Sequence, residues 1–218
     1  MVMVFGDNLQ KQNTSFATYS IAGICVAVLV IAPYASVLGF IPLRFSLHPA
    51  LYFYTLVTAQ FLHVGIVHLA GNLIFLLAFG RSLESVLGLI KFASTVIGLG
   101  AFAFLGSWLL SPTSPVPIIG LSGSLSVLLG AYSMVFPRAK LRIVPFLRFP
   151  WLRAWAFSCL WLGLQLRDMF ANGESAPGIA YPTHIAGFVI GLVAGTAWKE
   201  LAHDTDRLIG KVYKEDQR

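Results

Sequence analysis

The chain has 218 residues, of which 57% are hydrophobic and 11% charged, with a formal net charge of +6. A soluble domain carries about 25% charged residues, so this composition excludes an ordinary water-soluble globule and points to an integral membrane protein in a lipid bilayer. The positive balance is no sign of nucleic acid, because the basic residues fall between apolar spans and in the C-terminal tail, where they report topology.

A spanning helix needs about 20 mostly apolar residues. Six candidate spans follow in chain order: 18–40, 60–80, 86–110, 121–136, 152–171 and 182–198. The expected fold is an all-α membrane protein, a six-transmembrane-helix bundle in one domain. Residues 1–17 are expected as a cytoplasmic N-terminal segment, 18–198 as the membrane domain and 199–218 as a cytoplasmic tail. No charged n-region with a cleavage site precedes the first span, so no removable signal peptide is expected. Asn13-Thr14-Ser15 fits a glycosylation pattern but would face the cytoplasm. Cys25 and Cys159 lie in apolar runs and read as small hydrophobes, without disulfide or metal spacing.

Orientation follows from the positive-inside rule. Arg138, Lys140, Arg142, Arg148 and Arg153 lie between spans four and five, and Arg81 and Lys91 between spans two and three. Lys199, Arg207, Lys211, Lys214 and Arg218 are in the tail, and Lys11 precedes span one. Placing these on the cytoplasmic side accounts for 13 of the 15 basic residues and leaves Arg44 and Arg167 outside. Both termini are then cytoplasmic, and the cell membrane is the expected location. Spans two, four and six run from outside to inside, so His63, His68, Asn72, Ser122 and His184 share the outer leaflet.

Span four opens on "IIGLSGSLSVLLGAY". Gly120 and Gly123 flank Ser122, permitting a tight turn and a close approach. A helix N-terminus there offers free N–H groups that favour an oxyanion. Alone, such a serine can simply hydrogen-bond within its own turn. In span six, Gly187, Gly191 and Gly195 repeat every four residues and form a smooth face for close helix contact. His184 stands one turn before Gly187. If span six meets span four through that face, His184 reaches the depth of Ser122 and can act as its base. His68 and Asn72, spaced i, i+4, read either as an interhelical hydrogen-bond pair or as oxyanion donors. A metal held by His63, His68 and His184 is the third option; the spacing and the lack of a nearby carboxylate argue against it. Asp168 and Glu174 belong to the last outer loop and read as solvated, which leaves a serine–histidine dyad.

Together, Gly120-Leu121-Ser122-Gly123, His68-x3-Asn72 and His184-x2-Gly187-x3-Gly191 resemble the rhomboid intramembrane serine proteases over residues 50–198. The resemblance implies a six-span rhomboid-like bundle in which Ser122 is the nucleophile and His184 the general base. His68, Asn72 and the Ser122 backbone would hold the oxyanion, with Gly120, Gly123, His63 and Gly187 in support and Glu84 structural. It also implies that residues 41–59 form a membrane-embedded loop and that span five gates substrate access. Substrates would be transmembrane segments of other proteins, with no cofactor and no metal. Two departures stand out: Ser126 occupies a position where many members carry a tyrosine, and the first loop lacks a Trp-Arg pair. An inactive relative that binds membrane clients is the alternative, although neither the serine nor the histidine is lost. A small transporter would spread ionisable residues over several depths.

Overall fold

The computed structural model describes residues 4–9, 15–30, 35–143, 151–173, 175–176 and 179–215; Lys11, Asn13, residues 31–34, Arg148, Glu174 and Arg218 lie outside it. The chain is mostly helical. After strand β1 (Val4–Asp7) come α1 (Phe16–Val28) and four short helices, α2 (Ala35–Leu38), α3 (Pro42–Leu47), α4 (Pro49–Tyr52) and α5 (Thr55–Thr58). The long elements are α6 (Ile66–Ser94), α7 (Gly100–Leu110), α8 (Ser122–Val135), α9 (Ala154–Asn172) and α10 (Tyr181–Glu215).

Among the described residues, one stretch, Ile66–Leu110, is long and apolar enough to cross a membrane; Phe16–Val28 and Ser122–Val135 are apolar but shorter. Gly88 divides that stretch, with φ +74° and ψ 170° inside α6. Only glycine takes this conformation without strain, so two helices meet here, two residues inside the expected start of span three. A π-turn, Thr95–Leu99, then joins α6 to α7. Gln60 accounts for it: its Nε2 donates to Leu56 O and Ile97 O at 2.9 Å each, and its Oε1 accepts from Ser124 at 2.8 Å. A side chain inserted into the helical ladder is a known cause of such irregularity.

The all-helical expectation needs one correction. β1, β2 (Lys140–Ile143) and β3 (Trp151–Arg153) form an antiparallel sheet, and β4 (Ser175–Ala176) pairs with β5 (Ile179–Ala180). The first sheet was hidden because its strands are short and carry the Arg and Lys residues read as topology signals. Asp7 of β1 reaches into the bundle and accepts hydrogen bonds from Ser82 and Tyr132.

Helix α8 is the centre. Its side chains are buried from Gly123 to Ser133, and Leu128, Leu129 and Tyr132 are fully enclosed. The surrounding helices expose apolar residues outward, among them Ile24 and Val26 on α1, Ile90 on α6, Phe102 and Leu109 on α7, Trp155 and Phe170 on α9, and Val189 and Val193 on α10. A soluble monomer rarely presents so much apolar surface; a lipid-facing one does. Helix α10 meets α8 through its glycine face. A Cβ on Gly187 would lie 2.5 Å from Gly123 O, and one on Gly195 2.8 Å from Ala131 Cα. Backbones this close require small residues on the shared face.

Helix α1 is capped from a distance. Glu84 Oε1 accepts from Ala17 N at 2.7 Å, and Oε2 accepts from Thr18 N at 2.8 Å and Thr18 Oγ1 at 2.7 Å. These amides are among the unpaired donors of a helix start, where an anion is also favoured by the dipole. The nearly buried carboxylate therefore joins α6 to α1.

Candidate active site

Two loops set up the start of α8. Phe40 and Ile118 exchange backbone hydrogen bonds at 3.1 and 2.8 Å, Leu43 N donates to Ser114 O, and Ser46 Oγ donates to Pro112 O. Trp108 Nε1 donates to Ser46 Oγ, and the rings of Phe40, Phe45, Phe104 and Trp108 pack edge to face or tilted. This cluster anchors the 41–59 region in a chain without the Trp-Arg pair. Gly120 then turns the chain at φ +116°, its N–H held by Ala59 O at 2.8 Å. The His68 ring covers it: a Cβ there would lie 2.8 Å from His68 Cε1 and 2.9 Å from Nε2. Gly120 is thus needed both for its dihedral and for the approach of His68.

Ser122 is the first residue of α8 and His184 lies in the first turn of α10. Ser122 Oγ and His184 Nε2 are 2.8 Å apart. The close α8–α10 contact at Gly123 and Gly187 brings them together. A hydroxyl in this position can pass its proton to the ring nitrogen as it attacks an electrophile.

On the opposite wall, Asn72 Nδ2 donates to His63 Nε2 at 2.8 Å, so His63 carries its proton on Nδ1, facing Phe61 O at 3.1 Å. His63 is fully buried and holds Asn72 in place. The His63 and His68 rings meet edge-on at 5.1 Å. His68, Asn72, Ser122 and His184 all line one cavity of about 590 Å³, which is the size of an ordinary ligand pocket. Among the described residues, no group of three or more His, Cys, Asp or Glu side chains could hold a metal ion.

A model of the Rhomboid domain family matches residues 50–200. The chain belongs to the rhomboid family. Rhomboids are membrane proteins and, in general, serine proteases that work inside the bilayer. Among curated proteins, none matches the chain.

Ser126, at the usual tyrosine position, donates to Ser122 O at 2.8 Å and so bonds within its own helix. The His184 ring instead has Trp161 of α9 beside it, with centroids 6.2 Å apart, and Trp161 also packs on Phe188 at 5.6 Å. His184 Nδ1 faces Gln165 Oε1 at 2.8 Å. Sequence reasoning did not single out Trp161 or Gln165. The signal was present, since Gln165 is an uncharged polar residue in the otherwise apolar run 160–166. Asp168, expected to be solvated, has a side chain 36% exposed at the cavity, 3.8 Å from the more exposed Arg167.

Proposed function

We propose that this rhomboid is an active intramembrane serine endopeptidase, with Ser122 as nucleophile and His184 as general base. The observation that carries the reading is the 2.8 Å approach of Ser122 Oγ to His184 Nε2 on the wall of a ligand-sized cavity. As Oγ attacks the scissile carbonyl, His184 Nε2 accepts its proton. The resulting oxyanion takes hydrogen bonds from the Ser122 backbone N–H, Asn72 Nδ2 and His68. His184 then gives the proton to the leaving amine. Water attacks the acyl-enzyme while His184 again accepts a proton, which releases the acid and restores Ser122. The residues and water suffice for this chemistry, with no cofactor.

The proposal includes six spans within residues 18–198 in the cell membrane, with both termini cytoplasmic. The positive-inside count and the outward apolar side chains support this arrangement. Short α8 fits it when its N-terminus begins below the outer surface at a water-filled cavity, where irregular backbone is tolerated. A peptide bond inside a regular helix is closed to attack. Substrates are therefore single-span proteins with small or helix-weakening residues near the outer end. A cleavage map with cuts mainly in Leu-rich helix would contradict this.

Labelling of the detergent-purified chain with a fluorophosphonate probe, beside Ser122→Ala and His184→Ala, tests the assignment. Labelling of the wild type alone is expected. Equal labelling of all three would remove Ser122 from its role. No labelling, together with no cleavage of a permissive membrane substrate, would favour a client-binding protein without activity.

A further inference from the structure

The ring nitrogen of His184 that faces away from Ser122 has its own partner, and that partner is on a different helix. For His184 to accept a proton from Ser122, Nε2 must bear a lone pair, so the neutral ring must carry its hydrogen on Nδ1. Whatever lies against Nδ1 selects between the two tautomers. Gln165 Oε1 lies there at 2.8 Å, an acceptor that takes a hydrogen bond only from the Nδ1–H form. Trp161, one turn earlier on α9, flanks the same ring and limits its rotation.

We propose that Gln165 is a positioning residue that holds His184 in the Nδ1–H tautomer and fixes the plane of its ring, so that Nε2 meets Ser122 Oγ. The proposal rests on the Ser122–His184 reading. A base steered by a third group is the general arrangement for activated serine and cysteine nucleophiles, and a neutral amide fills that place in Cys-His-Asn enzymes. Here an amide suits the location. A carboxylate could accept the same hydrogen bond but would cost more stability to bury, so the amide supplies the acceptor at a smaller cost. The position occupied by tyrosine in many relatives is Ser126, whose hydroxyl bonds back to Ser122 O. Gln165 and Trp161, both on α9, flank the ring instead.

The test uses the full chain in detergent and a fluorophosphonate probe, with saturation kinetics that separate the limiting inactivation rate from the half-saturating probe concentration. Gln165→Leu keeps the volume and removes the acceptor; Gln165→Glu keeps an acceptor oxygen. Loss of one steering hydrogen bond is expected to lower the limiting rate of Gln165→Leu about 10- to 100-fold. The half-saturating concentration stays near the wild-type value, and Gln165→Glu recovers most of the rate. In parallel, 15N spectra of histidine-labelled protein report where the His184 proton sits: on Nδ1 in the wild type, and on both nitrogens in Gln165→Leu. These spectra need no labelling activity, and a melting curve of each variant separates misfolding from lost steering. A wild-type rate in folded Gln165→Leu, or an unchanged tautomer in that variant, would overturn the positioning role while leaving the dyad intact. Failure of the wild type both to label and to cleave a permissive membrane substrate would overturn both.

Discussion

Gly187→Ala is the most incisive probe of how the α8–α10 contact sets the dyad. The added Cβ would lie 2.5 Å from Gly123 O, 3.1 Å from Ser126 Cβ and 3.2 Å from Ala103 Cβ. Relief to an ordinary contact of 3.4 Å requires α10 to retreat from α8 by about 0.9 Å. The obstructing atom is backbone, so no side-chain rotation removes the clash. Gly187 is one turn from His184, and Gly123 adjoins Ser122. Most of that retreat therefore transfers to the 2.8 Å Ser122–His184 separation, stretching it toward about 3.7 Å, beyond a working hydrogen bond. A misplacement of about 1 Å at reacting groups costs on the order of 10²-fold in rate. Overpacking itself costs about 1–3 kcal/mol of stability. The assay is the second-order rate constant for fluorophosphonate labelling, read beside a melting curve. Gly163→Ala is the control, since a Cβ there meets nothing within 4 Å. If Gly187→Ala labels at the wild-type rate, the close contact does not set the dyad geometry, and the reasoning fails.

Three further outcomes are expected. Glu84→Ala should lower stability by about 3 kcal/mol by leaving the Ala17 and Thr18 amides without their acceptor; an unchanged melting temperature would show that α1 is held by other contacts. Asn72→Ala should slow proteolysis of a permissive membrane substrate by on the order of 10²-fold, and an unchanged rate would remove it from the oxyanion site. Tyr132→Phe should cost about 1–2 kcal/mol through the lost hydrogen bond to Asp7 while leaving the labelling rate of the folded protein unaltered; a slowed rate would mean that the far end of α8 reports to Ser122.

Patterned features were the legible ones. The four-residue repeat of Gly187, Gly191 and Gly195 marked a close helix contact because small residues at one helical period have few other uses. The polar residues at the starts of the expected second, fourth and sixth spans were conspicuous because a bilayer makes each polar side chain so, and the structure brings four of them, His68, Asn72, Ser122 and His184, to one cavity. Features that depend on which helices become neighbours were harder to read. Gln165 was passed over, because nothing in its own segment named His184 as its partner, nineteen positions along. Gln60 likewise joins Leu56, Ile97 and Ser124, a meeting visible only after the chain has folded. The β1–β2–β3 sheet was missed for a different reason. Its strands run three or four residues, too short for alternation to show, and the charges on β2 and β3 had already been explained.

The burial of α8 bears on how the surrounding lipid can influence the protein. A 14-residue helix is about 21 Å long, well below the roughly 30 Å hydrocarbon layer. Facing lipid, it would thin the bilayer or be pulled out of place. Enclosed by its neighbours, it escapes that hydrophobic mismatch. Changes in membrane thickness therefore act first on the longer outer helices, including α9 and α10, and reach the serine only through the contacts those helices make with it. Protein reconstituted in thin and thick bilayers is thus expected to differ in the alignment of His184 and not in the placement of Ser122.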